Sequence, residues 1–386
     1  MDHKRRVLVC QRGARHRFVV PRLLHESGLL YALYTDSCQL SPLGRLAVRL
    51  VGAGMKHPLP AALASRNPVG IPEDRVFCSD ALVMPRFLGG RRSLGAIYKN
   101  WGLGQASIIY SMYGEEAEFL EWAKGEGARI IVDVFVHPKT NRIVANEERL
   151  ILGKAERPSA EEDAHSRRVF ELADILLCPS EWVAEGVGEF LPGAESKIRV
   201  SPYGSSVAPN PTVNNPVPGR ILFAGREPLR KGLHHLAEAA GILRQGGMEL
   251  DVRVAGVDAA DIDWIEHGDQ LNCLGSVPME QMKREYEQAD VFVLPSLSEG
   301  QAGVLLEAMA SGCPVVATRE SGVDFQPGCG VSVPVGDVEA LAEAIKSIVT
   351  DREKRTQLAE GALRQSVMFS MDEWKKRLVH VIEELG

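Results

Sequence analysis

The stretch Asp290–Thr318, DVFVLPSLSEGQAGVLLEAMASGCPVVAT, decides the fold. Four apolar residues in a row follow Asp290 and stop at Pro295-Ser296, the pattern of a strand buried on both faces. Leu297–Gly303 is a glycine-bearing loop. A helix starts near Ala302–Val304, with Val304, Leu305, Ala308 and Met309 as its apolar residues, and ends at Gly312, which suits a left-handed C-terminal position. Pro314 then opens another apolar run. The order strand, loop, helix, strand is a βαβ unit of a parallel sheet.

The same alternation extends in both directions. Toward the C-terminus it predicts a strand at Val331–Val335 and a helix at Val338–Val349. Upstream it predicts strands at Arg220–Ala224, Glu249–Ala255 and Leu271–Leu274, with helices near Leu233–Arg244 and Met279–Gln288. Ser205–Gly219 has four prolines, three asparagines and no period, and reads as a linker. Before it lies a second series of runs: Val7–Cys10, Tyr31–Asp36, Arg75–Asp80, Ser107–Tyr113, Arg129–His137, Asp174–Ser180 and Lys197–Tyr203. The expected fold class is α/β, with two doubly wound Rossmann-like domains facing a cleft. The boundaries are 1–205, a linker at 206–219, and 220–370. A last amphipathic segment at 371–386 carries Trp374, Leu378, Ile382 and Leu385 at helical spacing and is expected to pack back on the first domain.

Composition limits the alternatives. The 386 residues are 45% hydrophobic and 25% charged, which suits two packed domains and excludes a disordered chain. The seven cysteines are scattered with no C-x-x-C pair, arguing for reduced thiols and a cytoplasmic setting. No run is long enough for a signal-peptide core or a membrane span. Residues 1–100 hold 16 Lys and Arg against 6 Asp and Glu, although the whole chain carries a net charge of −7. The first domain is therefore expected to face something anionic.

Several motifs are missing. No G-x-G pair continues to a third glycine at dinucleotide-binding spacing, and no G-x4-G-K-[ST] occurs. Asp261-Ile262-Asp263 has metal-binding spacing but falls in an expected helix. No His, Asp or Glu cluster has convincing ligand spacing, so no metal and no cofactor is expected. Nucleic acid is not an expected partner, because the chain is acidic and carries no such motif.

Two constellations carry chemistry. In Ile221–Gly232, ILFAGREPLRKG, a strand ends at Gly225 and a helix opens at Gly232, with Arg226, Arg230 and Lys231 between them. Cations at a strand end and helix start suit a diphosphate, each contact contributing about 1.5–3 kcal/mol. In the opening stretch, Glu299 stands in the loop and Glu307 one turn into the helix.

Jointly these segments resemble the donor half of the retaining family 4 glycosyltransferases. That family has a strand-G-R-x4-K-G element and a P-S-x2-E-G-x6-E-A-M-A-x-G-x-P-V element. Here they are Gly225, Arg226, Lys231, Gly232 and Pro295, Ser296, Glu299, Gly300, Glu307, Ala308, Met309, Ala310, Gly312, Pro314, Val315. The resemblance covers roughly residues 197–336 and implies the two-domain GT-B architecture. It implies that Arg226 and Lys231 bind the donor diphosphate, Glu299 the donor sugar and Glu307 the ribose. Gly300, Gln301, Ala302, Gly303 and Val304 would line the donor, with Val277 beside the base. Gln301-Ala302 departs from the family's usual aromatic-glycine pair, and Ser321-Gly322-Val323-Asp324 from its usual Gly-Gly.

In the first domain Gly13 is expected to face the donor. His137, read as the end of a strand, is expected near the reacting carbon. Glu147 and Glu148 are undecided. The resemblance implies transfer from a nucleotide-diphosphate sugar to a saccharide or lipid-linked acceptor, with retention and without metal. The competing readings are a nucleotide-sugar epimerase of the same fold and a non-catalytic nucleotide-sugar-binding protein. Leu43–Gly54, with Arg45, Arg49 and Lys56, and the following Arg86, Arg91, Arg92 and Lys99 around Phe87 and Leu88, suggest peripheral contact with an anionic inner membrane face.

Overall fold

Unbroken apolar runs become parallel strands because only a strand covered by helices on both sides buries every side chain. The computed structural model describes residues 5–82, 93–112, 116–153 and 160–385. Among these, seven strands form one sheet: β1 (Val7–Gln11), β2 (Leu30–Thr35), β3 (Val76–Cys78), β4 (Ile108–Met112), β5 (Arg129–Asp133), β6 (Ile175–Cys178) and β7 (Ile198–Val200). Their order is β3-β2-β1-β4-β5-β6-β7. A second sheet holds β8 (Arg220–Ala224), β9 (Asp251–Ala255), β10 (Asn272–Gly275), β11 (Val291–Leu294), β12 (Val315–Thr318) and β13 (Val331–Val333), in the order β10-β9-β8-β11-β12-β13. Every pairing is parallel. Strand order reverses at β1 in one sheet and at β8 in the other, and crevices open beyond the carboxyl ends at such points.

The linker is pinned rather than loose. Asn214 Nδ2 donates to Tyr286 O at 2.8 Å and to Ala289 O at 2.7 Å. The helix Met371–Glu384 crosses back: Trp374, Leu378, Val381 and Ile382 are buried in the same core as Val7, Val9 and Tyr203. Two ion pairs fix its ends to the first domain, Lys375–Glu26 at 3.0 Å and Arg199–Glu384 at 2.8 Å.

Two local expectations are corrected. β5 stops at Asp133, so His137 lies in the following loop rather than at a strand end. The buried Asp133 carboxylate at the end of β5 accepts from Tyr110 Oη at 2.5 Å and Tyr203 Oη at 2.6 Å, and Val134 N still donates to Leu177 O at 2.8 Å before the chain leaves the sheet. Asp261 closes a single 3-10 turn, Ala259–Asp261, and Asp263 lies beyond it, both exposed. The helix Pro42–Gly52 buries only Gly44 and Ala47, leaving Leu46 and Val51 exposed.

Trp374 is 1% exposed, so Trp374→Ala should cost about 3–5 kcal/mol of stability, read as a lowered denaturant midpoint. An unchanged midpoint would detach this helix from the core. His16 packs against Tyr203 in a tilted contact and edge-on against Trp374, ring centroids 4.4 and 5.7 Å away. Burial, and then Arg15, lower its pKa to about 4. An unfolded chain takes up that proton near about 6.5. Its contribution is therefore complete above pH ~6.5 and is lost as pH falls toward ~4. His137 and His235, also lowered to about 4 chiefly by burial, add the same sign. Denaturant midpoints at about pH 7 and pH 4.5 should fall accordingly; equal midpoints would contradict neutral buried histidines.

Candidate functional site

β8 and β11 are neighbours in the second sheet, so the loops that follow them emerge side by side. From the first loop, Lys231 Nζ reaches Glu299 Oε1 at 2.6 Å and Arg230 reaches Glu299 Oε2 at 2.7 Å. Glu299, in the second loop, is 8% exposed. Burial alone would raise its pKa, but the Lys231 and Arg230 cations outweigh it and hold the carboxylate below its ordinary range. Arg230 also pairs with Glu227. Gly225 is required by this arrangement, since a Cβ there would stand 2.0 Å from Lys231 Cδ. The lysine stem passes over the strand end at this point on its way to Glu299.

Beside the triad is a cavity of about 220 Å³. Gly225, Arg226, Val277, Tyr286, Val304 and Glu307 line it, and Arg17 enters from the first domain. Arg226 and Arg17 are exposed and have no ion-pair partner among the described residues. Glu307 sits at the cavity's far side, accepting from Tyr286 Oη at 3.0 Å and from the linker's Ser206 Oγ at 2.6 Å. Val277, Met279 and Met282 supply an apolar wall. The helix Gly303–Ala310 begins at this edge, and the first N–H groups of any helix lack partners within it. The site therefore combines unpaired cations, a helix start, an apolar wall and a held carboxylate: the requirements of a nucleoside diphosphate.

The Glu299 loop is clamped between the domains. Gly300 O accepts from Ser180 Oγ at 2.6 Å, and Gln301 Oε1 accepts from Tyr203 N at 2.6 Å. Ser298 and Thr140 hydroxyls meet at 2.7 Å. A Cβ on Gly300 would lie 1.8 Å from Phe135 O, so only glycine lets the loop approach β5's extension. Ala302 N is spent on Ser321 O at 3.0 Å.

Gly13, expected to face the donor, is not among the residues that line the cavity. Gly13 follows β1 at φ +70° with open space where a Cβ would stand, and its N–H donates to Asp36 Oδ1 at 2.8 Å. His137 is placed otherwise than a group exposed to substrate. It is 4% exposed, stacked on Trp182 with centroids 4.2 Å apart, and its Nδ1 accepts from Lys139 N at 3.1 Å. A Cβ on Gly186 would lie 2.2 Å from its Nε2, so the ring packs into the helix Glu181–Phe190. Burial, then Lys139, lower its pKa to about 4. Sequence reasoning missed Arg17, four residues past Gly13, because its arrival at the cavity depends on backbone turns that no pattern signals. It also left Glu147 undecided; the structure sets it against His234 and His235.

Residues 218–351 match the family model described as Glycosyl transferases group 1. The chain is 25% identical over 297 residues to a D-inositol 3-phosphate glycosyltransferase of Corynebacterium urealyticum, covering 68% of this chain and 70% of that one. It is 38% identical over 140 residues to the amylovoran biosynthesis glycosyltransferase AmsK of Erwinia amylovora, 32% of this chain and 34% of that one. With the lipopolysaccharide core biosynthesis glycosyltransferase LpsE of Rhizobium meliloti it shares 31% over 204 residues, 50% of this chain and 58% of the relative. The polysaccharide relatives are thus matched over about a third to somewhat more than half of their length. Two solved structures share the fold throughout: sucrose-phosphate synthase from Thermosynechococcus elongatus (TM-score 0.68, 17% identity, 99% of both chains) and Anabaena HepE in complex with UDP and glucose (TM-score 0.66, 14% identity, 98% of this chain and 100% of that one). Residues 218–351 thus carry a group 1 glycosyl transferase domain across the second sheet, and the two parallel α/β sheets together share the fold of these two structures.

Proposed function

We propose that this glycosyltransferase moves a sugar from a nucleoside-diphosphate sugar to a saccharide or lipid-linked acceptor, with retention and without a metal. The observation that carries the donor reading is the pair of unpaired cations, Arg226 and Arg17, facing one cavity from two domains. The leaving diphosphate gains negative charge as the sugar bond breaks, and fixed cations there stabilise the transition state. In this reading Glu307, on the cavity's far side beside Tyr286, accepts from the ribose hydroxyls. Glu299, ionised and held by two cations, is an acceptor for the donor sugar's hydroxyls. It is not a free base, which agrees with the retaining course implied by the resemblance. The named relatives are all glycosyltransferases, and none supports an epimerase or a binding-only protein.

Arg226→Ala is the cleanest test of the diphosphate reading, because Arg226 has no ion-pair partner among the described residues. Loss of one such contact costs about 2.7–4 kcal/mol in the transition state, so nucleoside diphosphate release should slow by about 10²–10³-fold with the fold intact. Arg17→Ala should slow it in the same direction. Lys231→Ala mixes two effects, since it also strands the buried Glu299 carboxylate. Activity should survive excess chelator. Wild-type turnover in Arg226→Ala, or complete loss with chelator restored by Mg²⁺ or Mn²⁺, would contradict the proposal.

The acceptor side rests on the first domain's surface. Leu46, Val51, Met55 and Leu59 are 50%, 37%, 45% and 66% exposed, and Arg45, Arg49 and Lys56 are exposed beside them. Arg86, Phe87, Leu88, Arg91 and Arg92 lie outside the described residues. Apolar side chains ringed by cations suit the headgroup boundary of an anionic leaflet, each cation adding about 1 kcal/mol. No described helix is long and apolar enough to cross a membrane, so the contact is peripheral. The chain should co-sediment with phosphatidylglycerol vesicles at low salt and less at high salt, and Leu46→Glu with Val51→Glu should abolish it. No binding to anionic vesicles at low salt would leave a soluble acceptor.

A further inference from the structure

The helix Thr140–Leu152 of the first domain meets the helix Leu233–Gln245 of the second at a point the transfer reaction does not use. There His234 Nε2 lies 3.0 Å, and His235 Nε2 3.3 Å, from the same oxygen, Glu147 Oε1. Adjacent residues on a helix point about 100° apart, yet these two rings converge, their centroids 4.0 Å from each other. The three side chains are only 11%, 11% and 21% exposed. Among the described residues, this is the group of His, Cys, Asp and Glu side chains whose donor atoms all come within 4.8 Å of one another.

We propose that Glu147, His234 and His235 form a binding site for a divalent transition ion of the zinc type, bridging the two domains. A tetrahedral zinc with bonds of about 2.0–2.1 Å sets its ligand atoms about 3.3 Å apart; the observed spacings to Glu147 already approach this. Two neutral imidazoles and a carboxylate are a zinc ligand set that leaves a fourth position for water. A metal at Nε2 would replace the His234–Glu147 hydrogen bond of 3.0 Å and leave each neutral ring with its hydrogen on Nδ1. Both Nδ1 atoms are buried without a hydrogen-bond partner. Zinc-bound histidines are normally steadied through that second nitrogen, at a cost of about 10–100-fold in affinity when it is missing. The expected site is therefore of micromolar rather than nanomolar strength. Because Glu147 belongs to one domain and the histidines to the other, the ion ties helix to helix and holds the cleft at one opening.

The full chain, stripped with chelator and dialysed, is titrated with Zn²⁺ alone by calorimetry and with Co²⁺ by visible absorption. Stoichiometric micromolar zinc binding and the intense bands of tetrahedral cobalt are expected. Glu147→Gln keeps the shape and removes only the charge; it and His235→Ala should each weaken binding at least tenfold, with circular dichroism unchanged. Small-angle scattering should show zinc compacting the wild type but not Glu147→Gln. Absence of binding at millimolar zinc, or binding of wild-type strength in both variants, overturns the site.

Discussion

Glu299 is the charge on which the donor side is built. A carboxylate with so little solvent must be paired, since removing one partner from a buried ion pair typically costs about 3–5 kcal/mol. Both partners, Arg230 and Lys231, come from the loop after β8, whereas Glu299 comes from the loop after β11. The triad therefore fastens together the two loops that flank the sheet's reversal point. It also sorts the local cations. Arg230 and Lys231 are spent on Glu299, and Arg226 is left to face the cavity.

The same loop joins the two domains. Gly300 abuts the Phe135 carbonyl, Gln301 accepts from the Tyr203 amide, and Ser298 meets Thr140. These contacts lie within four residues of chain, so the position of Glu299 and the separation of the domains are set by one segment. Gln301 stands where the resembling family usually has an aromatic residue. Its side-chain oxygen takes the Tyr203 N–H across the interface, a bond that a phenyl ring has no oxygen to make. The departure belongs to the domain interface as much as to the donor.

Much of this was legible in sequence because it is repetitive. Parallel strands advertise themselves as apolar runs, and β8 and the helix Met279–Gln288 begin and end at the expected residues. The glycines and cations of the loops after β8 and β11 stand out in the sequence because close approach and charge restrict which residues serve there. What was not legible depends on contacts distant in sequence. At the end of β5 the Asp133 carboxylate is held by two tyrosines from other segments, Tyr110 and Tyr203. His137 turns into a helix that supplies both a flat partner, Trp182, and a gap at Gly186. Glu147 has no local signal, because its histidines come from the other domain. The amphipathic pattern of Pro42–Gly52 was visible, but a periodic pattern marks an apolar face without saying what covers it.

Arg17 shows how a residue without a motif reaches the site. His16, Arg17 and Phe18 all have positive φ, at 48°, 51° and 58°, a conformation disfavoured for non-glycine residues by about 1–3 kcal/mol each. The surroundings must supply that energy. Phe18 is fully buried, His16 lies against Tyr203 and Trp374, and Arg15 lies over the Phe135 ring with its guanidinium carbon 3.3 Å from the centroid. Each neighbour of Arg17 is thus anchored in packing, and Arg17 alone points into the cavity. Two of the anchors, Tyr203 and Trp374, come from the end of the first domain and from the returning C-terminal helix. That helix is therefore coupled to the cavity: the packing of Trp374 supports the strained turn that carries the Arg17 cation into it.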